Sequence, residues 1–334
     1  MIRFTGFIQA VWKQLRFRPA AFLIAALLSV LAASEPCIAE PPLQALRLLV
    51  PPSNSSLPLL LLADMDPIPR IDIQAQAYLN HPQALAMLLR GQADLLLTGT
   101  SQGWENYLSG GPILMINTGV WGISYLIGSR DCPPIRRISE LAGKRIALPF
   151  PGSPLDFQTR SLLHRHGLNP DRDCTILYSP LPQTAALLLQ GQIDAAPIPE
   201  PMASELVINR GLRRLMDYKQ AWASAFGGDP LTPQVSLFTT RSFASENTEI
   251  LQELVLQWRA ASEQVVKDPA GAAGQFSGFL GYSEAVIAQS VPNTSFYVPS
   301  LQENRHRVKS YYEVVKLYLP GKRGELKEEF FFSP

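Results

Sequence analysis

A thirteen-residue segment occurs twice in this chain at an offset of 100 residues, and nothing else in the sequence constrains the fold as much. Pro82-Gln83-Ala84-Leu85-Ala86-Met87-Leu88-Leu89-Arg90-Gly91-Gln92-Ala93-Asp94 recurs as Pro182-Gln183-Thr184-Ala185-Ala186-Leu187-Leu188-Leu189-Gln190-Gly191-Gln192-Ile193-Asp194, with eight of thirteen positions identical. Each copy reads as one physical unit. Proline stands near a helix start, where its missing N–H leaves nothing unbonded, two or three apolar turns follow, and glycine supplies the left-handed conformation that ends the helix. Behind each glycine runs a short apolar stretch, Ala93 to Leu97 and Ile193 to Pro197, suited to a buried parallel strand, with Pro197 expected to end the second. A helix-and-strand unit used twice predicts two α/β lobes of like construction. The loops Thr98-Gly99-Thr100-Ser101 and Ile198-Pro199-Glu200-Pro201 then stand at carboxyl ends of strands, where open α/β sheets bind ligands.

The rest of the chain supplies further elements of the same kind. Strands are predicted at Leu46 to Val50, Ile71 to Gln74, Lys144 to Pro149 and Cys174 to Tyr178, and a helix from Leu155 to His166 behind the turn Pro151-Gly152-Ser153-Pro154. Two extended stretches, Gly119 to Gly128 and Pro233 to Thr240, are placed to carry the chain from one lobe to the other and back, as hinges. Past Thr240 the pattern is helical, at Glu249 to Lys267, Ser283 to Gln289 and Gln302 to Leu319, and returns to the first lobe.

The N-terminus reads as an address. Arg3, Lys13, Arg16 and Arg18 precede an uncharged run from Ala20 to Ser34, too short for a bilayer span and suited to a secretory signal. Small residues at Cys37 and Ala39 predict cleavage before Glu40, giving a signal peptide over residues 1–39; retention of the segment as an anchor stays open, and lipid attachment at Cys37 is disfavoured by Glu35-Pro36. Cleavage would leave 25 basic against 27 acidic residues, a net charge of −2, in an exported protein. Only Cys132 and Cys174 would remain, and the sequence leaves open whether they form a disulfide or stay as two buried thiols.

Several classes of function are excluded. The whole chain holds 29 Lys and Arg against 28 Asp and Glu, without the basic excess that neutralises phosphates, so no nucleic-acid partner is expected. His164 and His166 lie two apart on a helix and face different sides, and the cysteines form no CxxC pair, so no metal is expected. No GxSxG, P-loop or dinucleotide fingerprint is present, and no cofactor is expected.

Three stretches together resemble the substrate-binding proteins of nitrate/sulfonate/taurine-type ABC importers. Leu141-Ala-Gly-Lys-Arg-Ile-Ala-Leu-Pro-Phe-Pro-Gly152-Ser153 is similar to that family's opening of its second lobe. Ala186 to Pro201 resembles its "LxxGxVDAxxxxEP" segment, and Trp258 to Pro269 its long helix and following proline. The likeness spans roughly residues 45 to 320 and implies a type II periplasmic-binding fold: an α/β protein of two lobes, each a mostly parallel sheet flanked by helices, joined by two crossover strands. It implies lobe 1 at 40–125 and 238–320, lobe 2 at 126–237, and a C-terminal tail at 321–334. It also implies a monomeric receptor, not an enzyme, that closes on a small-molecule ligand outside the cytoplasm, in the periplasm, and delivers it to a membrane permease. An enzyme on the same fold, working on chorismate-derived or thiamine-pyrimidine precursors, is the rival, and the export signal argues against it.

The ligand-binding candidates follow from the strand ends. In the first lobe they are Ser53, Asn54 and Ser55 after the first strand, and Thr98, Gly99 and Thr100 after the repeat strand, rich in hydroxyls that donate or accept. In the second lobe, Gly152 and Ser153 stand at a helix start, where free N–H groups favour an anion. Glu200 matches the family's "EP" and could receive a ligand N–H or O–H, and Trp121 on the first crossover could offer a stacking wall. Ordinary capping and core packing explain each of these residue types as well. A sulfonate- or nitrate-like anion is favoured, although no Arg or Lys lies in these loops, and a neutral heterocycle is the alternative.

Overall fold

The structure, a computed structural model, describes residues 43–318 and 324–334. The predicted signal segment at 1–39, Cys37 and the start of the C-terminal tail lie outside the described residues.

Two five-stranded sheets are built from the same plan. The first holds β1 (Gln44–Val50), β2 (Ile71–Ala77), β3 (Leu95–Gly99) and β4 (Ile113–Val120), with α1 (Leu57–Met65), α2 (His81–Leu89) and α3 (Thr100–Leu108) between them. The second holds β5 (Ser124–Gly128), β6 (Arg145–Leu148), β7 (Thr175–Tyr178), β8 (Ala195–Pro199) and β9 (Arg213–Asp217), with α4 (Pro154–Arg165), α5 (Leu181–Leu189), α6 (Met202–Ile208) and α7 (Tyr218–Phe226). The chain then returns as β10 (Val235–Thr240), followed by α8 (Arg241–Glu246), α9 (Thr248–Lys267), α10 (Pro269–Leu280), α11 (Glu284–Ser290) and α12 (Leu301–Lys316). The strand orders, β2-β1-β3-β10-β4 and β7-β6-β8-β5-β9, correspond position by position. In each sheet the fourth strand is the one that arrives from the other lobe, and it runs antiparallel to both neighbours.

The repeat marks equivalent places. α2 and α5 both end on a left-handed glycine, Gly91 at φ 68° and Gly191 at φ 67°. Gln92 N–H bonds the Met87 carbonyl and Gln192 N–H the Leu187 carbonyl, so each glycine turns its chain directly into β3 or β8.

Period-two alternation divides the first sheet between two cores. Leu46, Leu48 and Val50 of β1, Leu95 and Leu97 of β3, and Leu237 of β10 face α1, α9 and α10, where Trp258 is almost fully buried. Leu49, Leu96, Met115 and Phe238 face the other way and join a core that continues into the second lobe through Leu148, Phe157 and Leu162. The apolar run of α1, Leu-Pro-Leu-Leu-Leu-Leu, escapes sequence reading because it is buried nearly all round and shows no amphipathic period.

Two expectations need correction, and one alternative left open is decided. Pro197 does not end its strand: β8 runs to Pro199, and Pro197 lies in register with Leu126 of β5. β6 pairs with β8 only at Ile146 and Ala195, so the missing Pro197 N–H falls where that ladder has already stopped. The second predicted hinge, Pro233 to Thr240, is mostly β10, and the crossing is made by residues 227–234. There Thr232 N–H bonds the Trp121 carbonyl and Gln234 N–H the Val120 carbonyl, which ties the two crossings together. Cys132 and Cys174 form no disulfide; the first thiol contacts the Pro133 carbonyl at 3.4 Å and the second the Leu141 carbonyl at 3.3 Å.

The aromatic tail docks on the first lobe. Phe331 bridges Met115 of the edge strand β4, Phe332 N–H bonds the Met115 carbonyl at 2.8 Å, and Phe330, Phe331 and Phe332 are all buried. An edge strand that would otherwise present bare N–H and C=O groups is thereby covered.

Candidate functional site

The carboxyl end of β3 in one lobe meets that of β6 in the other across a seam. Ser101 at the start of α3 donates its Oγ hydrogen to the Gly152 carbonyl at 2.8 Å. Gly99 lies so near Pro154 that a Cβ there would come within 2.8 Å of the proline Cγ. His81 meets Phe150 at 5.7 Å between ring centroids, and Trp104 stacks on Phe157 at 5.9 Å with planes 16° apart. Both lobes carry buried polar atoms without a hydrogen-bond partner, and one of them, Trp104 Nε1, belongs to a ring in this contact. Each such atom costs about 1–3 kcal/mol left unpaired, which favours a polar guest between the lobes.

The helix start of α4 is already occupied by an acid of the chain itself. Gly152, at φ 80°, donates its N–H to Asp156 Oδ2 at 2.8 Å, and Ser153 Oγ accepts from the Asp156 N–H at 3.1 Å. Asp156 in turn holds Arg160 Nε at 2.9 Å and accepts from the Tyr178 hydroxyl at 2.9 Å. The capping reading of Ser153 is therefore satisfied in full, and Gly152 presents its carbonyl to Ser101.

The other candidates divide between seam and interior. Thr98 Oγ1 donates to Gln102 Oε1 at 2.5 Å and lies 2.9 Å from His81 Nδ1. Ser53 and Ser55 share a 2.6 Å hydroxyl contact, and Asn54 Nδ2 donates to Ser290 Oγ and Thr294 Oγ1 within its own lobe. Thr100 Oγ1 is taken up in a buried chain with Ser236 at 2.7 Å, which continues to Thr118 at 2.8 Å. Trp121 is fully buried and donates Nε1–H to the Tyr297 carbonyl at 2.8 Å, so its role is to seat the first crossing. Glu200 is fully buried and internally satisfied: it accepts from Arg214 Nη2 at 2.6 Å and from Ser204 N–H at 2.9 Å. Burial pushes its pKa up, with Arg214 opposing.

Residues 131–274 match the sequence profile of the NMT1-like family. Among curated proteins, no sequence matches this chain. Among solved structures, the periplasmic aliphatic sulphonate binding protein SsuA from Escherichia coli is similar at TM-score 0.67 and 19% identity, over 84% of this chain and 95% of that one. The alkanesulfonate-binding protein SsuA from Xanthomonas axonopodis pv. citri, bound to MOPS, gives TM-score 0.65 and 22% identity over 82% and 94%. A Candida albicans protein described as having the generic periplasmic binding protein fold gives 0.61 and 14% over 84% and 92%. The fold is that of the periplasmic binding proteins. Within a periplasmic-binding-protein fold, the seam just described is the cleft between the lobes.

The cleft also holds residues that sequence reading passed over, His81 first among them. The Tyr78 hydroxyl donates its one proton to the Leu97 carbonyl, and the Thr98 hydroxyl donates its own to Gln102. His81 Nδ1 lies 3.0 Å from the first oxygen and 2.9 Å from the second, so Nδ1 carries the hydrogen and Nε2 is left as an acceptor. Burial lowers the His81 pKa to about 4 and keeps the ring neutral. A signal existed in the repeat itself: where the first copy is preceded by His81, the second is preceded by Leu181. Among the described residues no cluster of three or more His, Cys, Asp or Glu could hold a metal ion, and no helix is long and apolar enough to cross a membrane.

Proposed function

We propose that this protein is the extracytoplasmic solute-binding component of an ABC importer, a monomeric receptor that closes its lobes on a small molecule and hands it unchanged to a membrane permease. The observation that carries this reading is the cleft: strand ends of the two lobes meet there through Ser101 and Gly152, and the Trp104 Nε1–H beside that contact is buried without a partner. Contacts that exist only when both lobes meet the ligand are what shifts such a protein toward its closed state. Two of the similar structures are sulfonate binders, which supports a sulfonate- or nitrate-like anion as cargo.

One observation favours a second reading. Asp156 already takes the Gly152 N–H at the helix start, and the candidate loops contain no Arg or Lys. An anion would face that carboxylate, whereas a neutral heterocycle bearing N–H groups would find acceptors. Native mass spectrometry of protein recovered from the exported fraction, followed by a thermal-shift screen of sulfonates, nitrate, taurine and pyrimidines, decides between them. A ligand at about 100 times its Kd adds roughly 2.7 kcal/mol. A cargo recovered intact supports the receptor; chemical conversion of a candidate replaces it with the enzyme.

A further inference from the structure

A cavity of about 510 Å³, lined by none of the cleft residues named above, opens between α7 of the second lobe and α12 of the first. Sites for small organic molecules commonly measure about 300–1,000 Å³. One wall is aromatic: the Trp222 ring lies 4.2 Å from Phe226 and 4.8 Å from Tyr311, and all three line the space. The Tyr311 hydroxyl is buried and has no hydrogen-bond partner.

The other wall is charged, and its sign is set by composition. Asp229 comes from the second crossing, and Glu303 and Arg307 from α12. Arg307 Nε donates to Glu303 Oε1 at 2.8 Å while its Nη1 is paired with Asp229. The same guanidinium stands 5.7 Å over the Trp121 ring of the first crossing. Glu303 Oε2 also accepts from the Tyr297 hydroxyl and Asp229 Oδ1 from the Leu231 N–H, yet two carboxylates against one guanidinium leave a negative excess, and each oxygen keeps a second lone pair for a further donor.

We propose that this cavity is a second small-molecule site, for a flat aromatic compound carrying an ammonium group. The ring lies against Trp222, Phe226 and Tyr311, and the ammonium donates to Asp229 and Glu303. An ammonium near aromatic faces gains further from their quadrupoles. The site stands apart from the cargo reading, since it refuses the anions that the cleft is proposed to hold.

Calorimetric titration of the purified protein with tryptamine and with indole-3-propionate tests this, because the two share a ring and differ in charge. Tryptamine is expected to bind saturably and at least about tenfold more tightly, a difference of about 1.4 kcal/mol. Ser310→Trp fills the cavity from its exposed rim and is expected to weaken tryptamine by a similar factor with the melting temperature unchanged. Glu303→Gln, which keeps the shape and removes a charge, narrows the preference for tryptamine. Absence of saturable tryptamine binding, equal affinity for the two indoles, or unaltered tryptamine binding in both variants overturns the proposal.

Discussion

Asp94 and Asp194 occupy the same place in the two lobes and close the same fork on an arginine. Asp94 Oδ2 accepts from the Arg47 backbone N–H at 2.8 Å and from its Nε at 3.0 Å, while Oδ1 accepts from Nη2 at 2.6 Å. Asp194 repeats this on Arg145 at 2.7, 3.2 and 2.7 Å. The last residue of each repeat thus pins the first parallel strand of its lobe, β1 or β6, to the loop that enters the neighbouring strand. Paired charge-assisted bonds fix geometry as well as adding energy.

Asn at either position keeps the shape and loses the charge, and we expect a loss of roughly 1–2 kcal/mol in urea unfolding. Asp94→Asn should cost more, since the Asp94 side chain is 9% exposed and that of Asp194 23%. Arg145 holds the Asp194 carboxyl below its ordinary pKa. Its contribution is therefore present at neutral pH and lost as pH falls through the acid range. The Asp194→Asn protein should lose less stability than the parent between neutrality and acid, and an identical acid profile would count against the fork.

How much of this was readable beforehand depends on how local the cause is. The repeat exposed the helix caps at Gly91 and Gly191 and the strands behind them, because each cause lies within a few residues. The partners Arg47 and Arg145 lie 47 and 49 residues away from Asp94 and Asp194, and nothing in the sequence pairs them. The same holds at the cleft. The loops at the strand ends were legible, but which hydroxyls the fold consumes was not: Thr100 is spent on Ser236, 136 residues on, while Thr98 stays at the seam beside His81. Glu200 was readable as a loop acid, whereas its partner Arg214 sits on β9, a strand with no clear pattern of its own.

His81 gives the fold a second acid sensitivity, at a milder pH. Burial holds its imidazole at about 4 against an ordinary 6.5. Below pH 6.5 the unfolded chain takes up a proton that the folded chain refuses, so stability declines as pH falls from about 6.5 to about 4 and then levels. The whole window is worth up to about 3 kcal/mol. His81→Phe should flatten it, whatever it does to stability at pH 8. Equal slopes for parent and variant between pH 6.5 and 4 would place the ring in solvent.

Glu200 and Arg214 form a pair whose halves are not equivalent. The glutamate side chain is fully buried, and that of the arginine 27% exposed, with its guanidinium 3.8 Å above the Tyr125 ring. Arg214→Leu strands a buried carboxylate and should cost about 3–5 kcal/mol at neutral pH. Protonation removes the stranded charge, so the deficit of this variant should shrink as pH is lowered toward 5. Glu200→Gln leaves only the exposed partner unpaired and should cost less. Calorimetric melting of both variants across pH measures this, and a deficit for Arg214→Leu that does not change with pH would contradict it.

Gly99 separates closure from folding. Its φ of −56° is open to any residue, so alanine there strains no backbone. The added Cβ would nevertheless meet Pro154 Cγ at 2.8 Å and Cδ at 2.9 Å, and Pro154 belongs to the other lobe. That collision lies in the contact between the lobes. A ligand that binds by closing the lobes should therefore lose affinity by at least about tenfold, within the usual 1–3 kcal/mol of an overpacked contact. Gly91→Ala is the converse case: at φ 68° with open space around its Cβ, it should weaken the fold by about 1 kcal/mol and leave ligand affinity alone. Isothermal titration with the cargo and urea unfolding of both variants should give this crossed pattern. Full affinity in Gly99→Ala would mean that Ser101, Gly152 and Pro154 do not meet in the liganded protein.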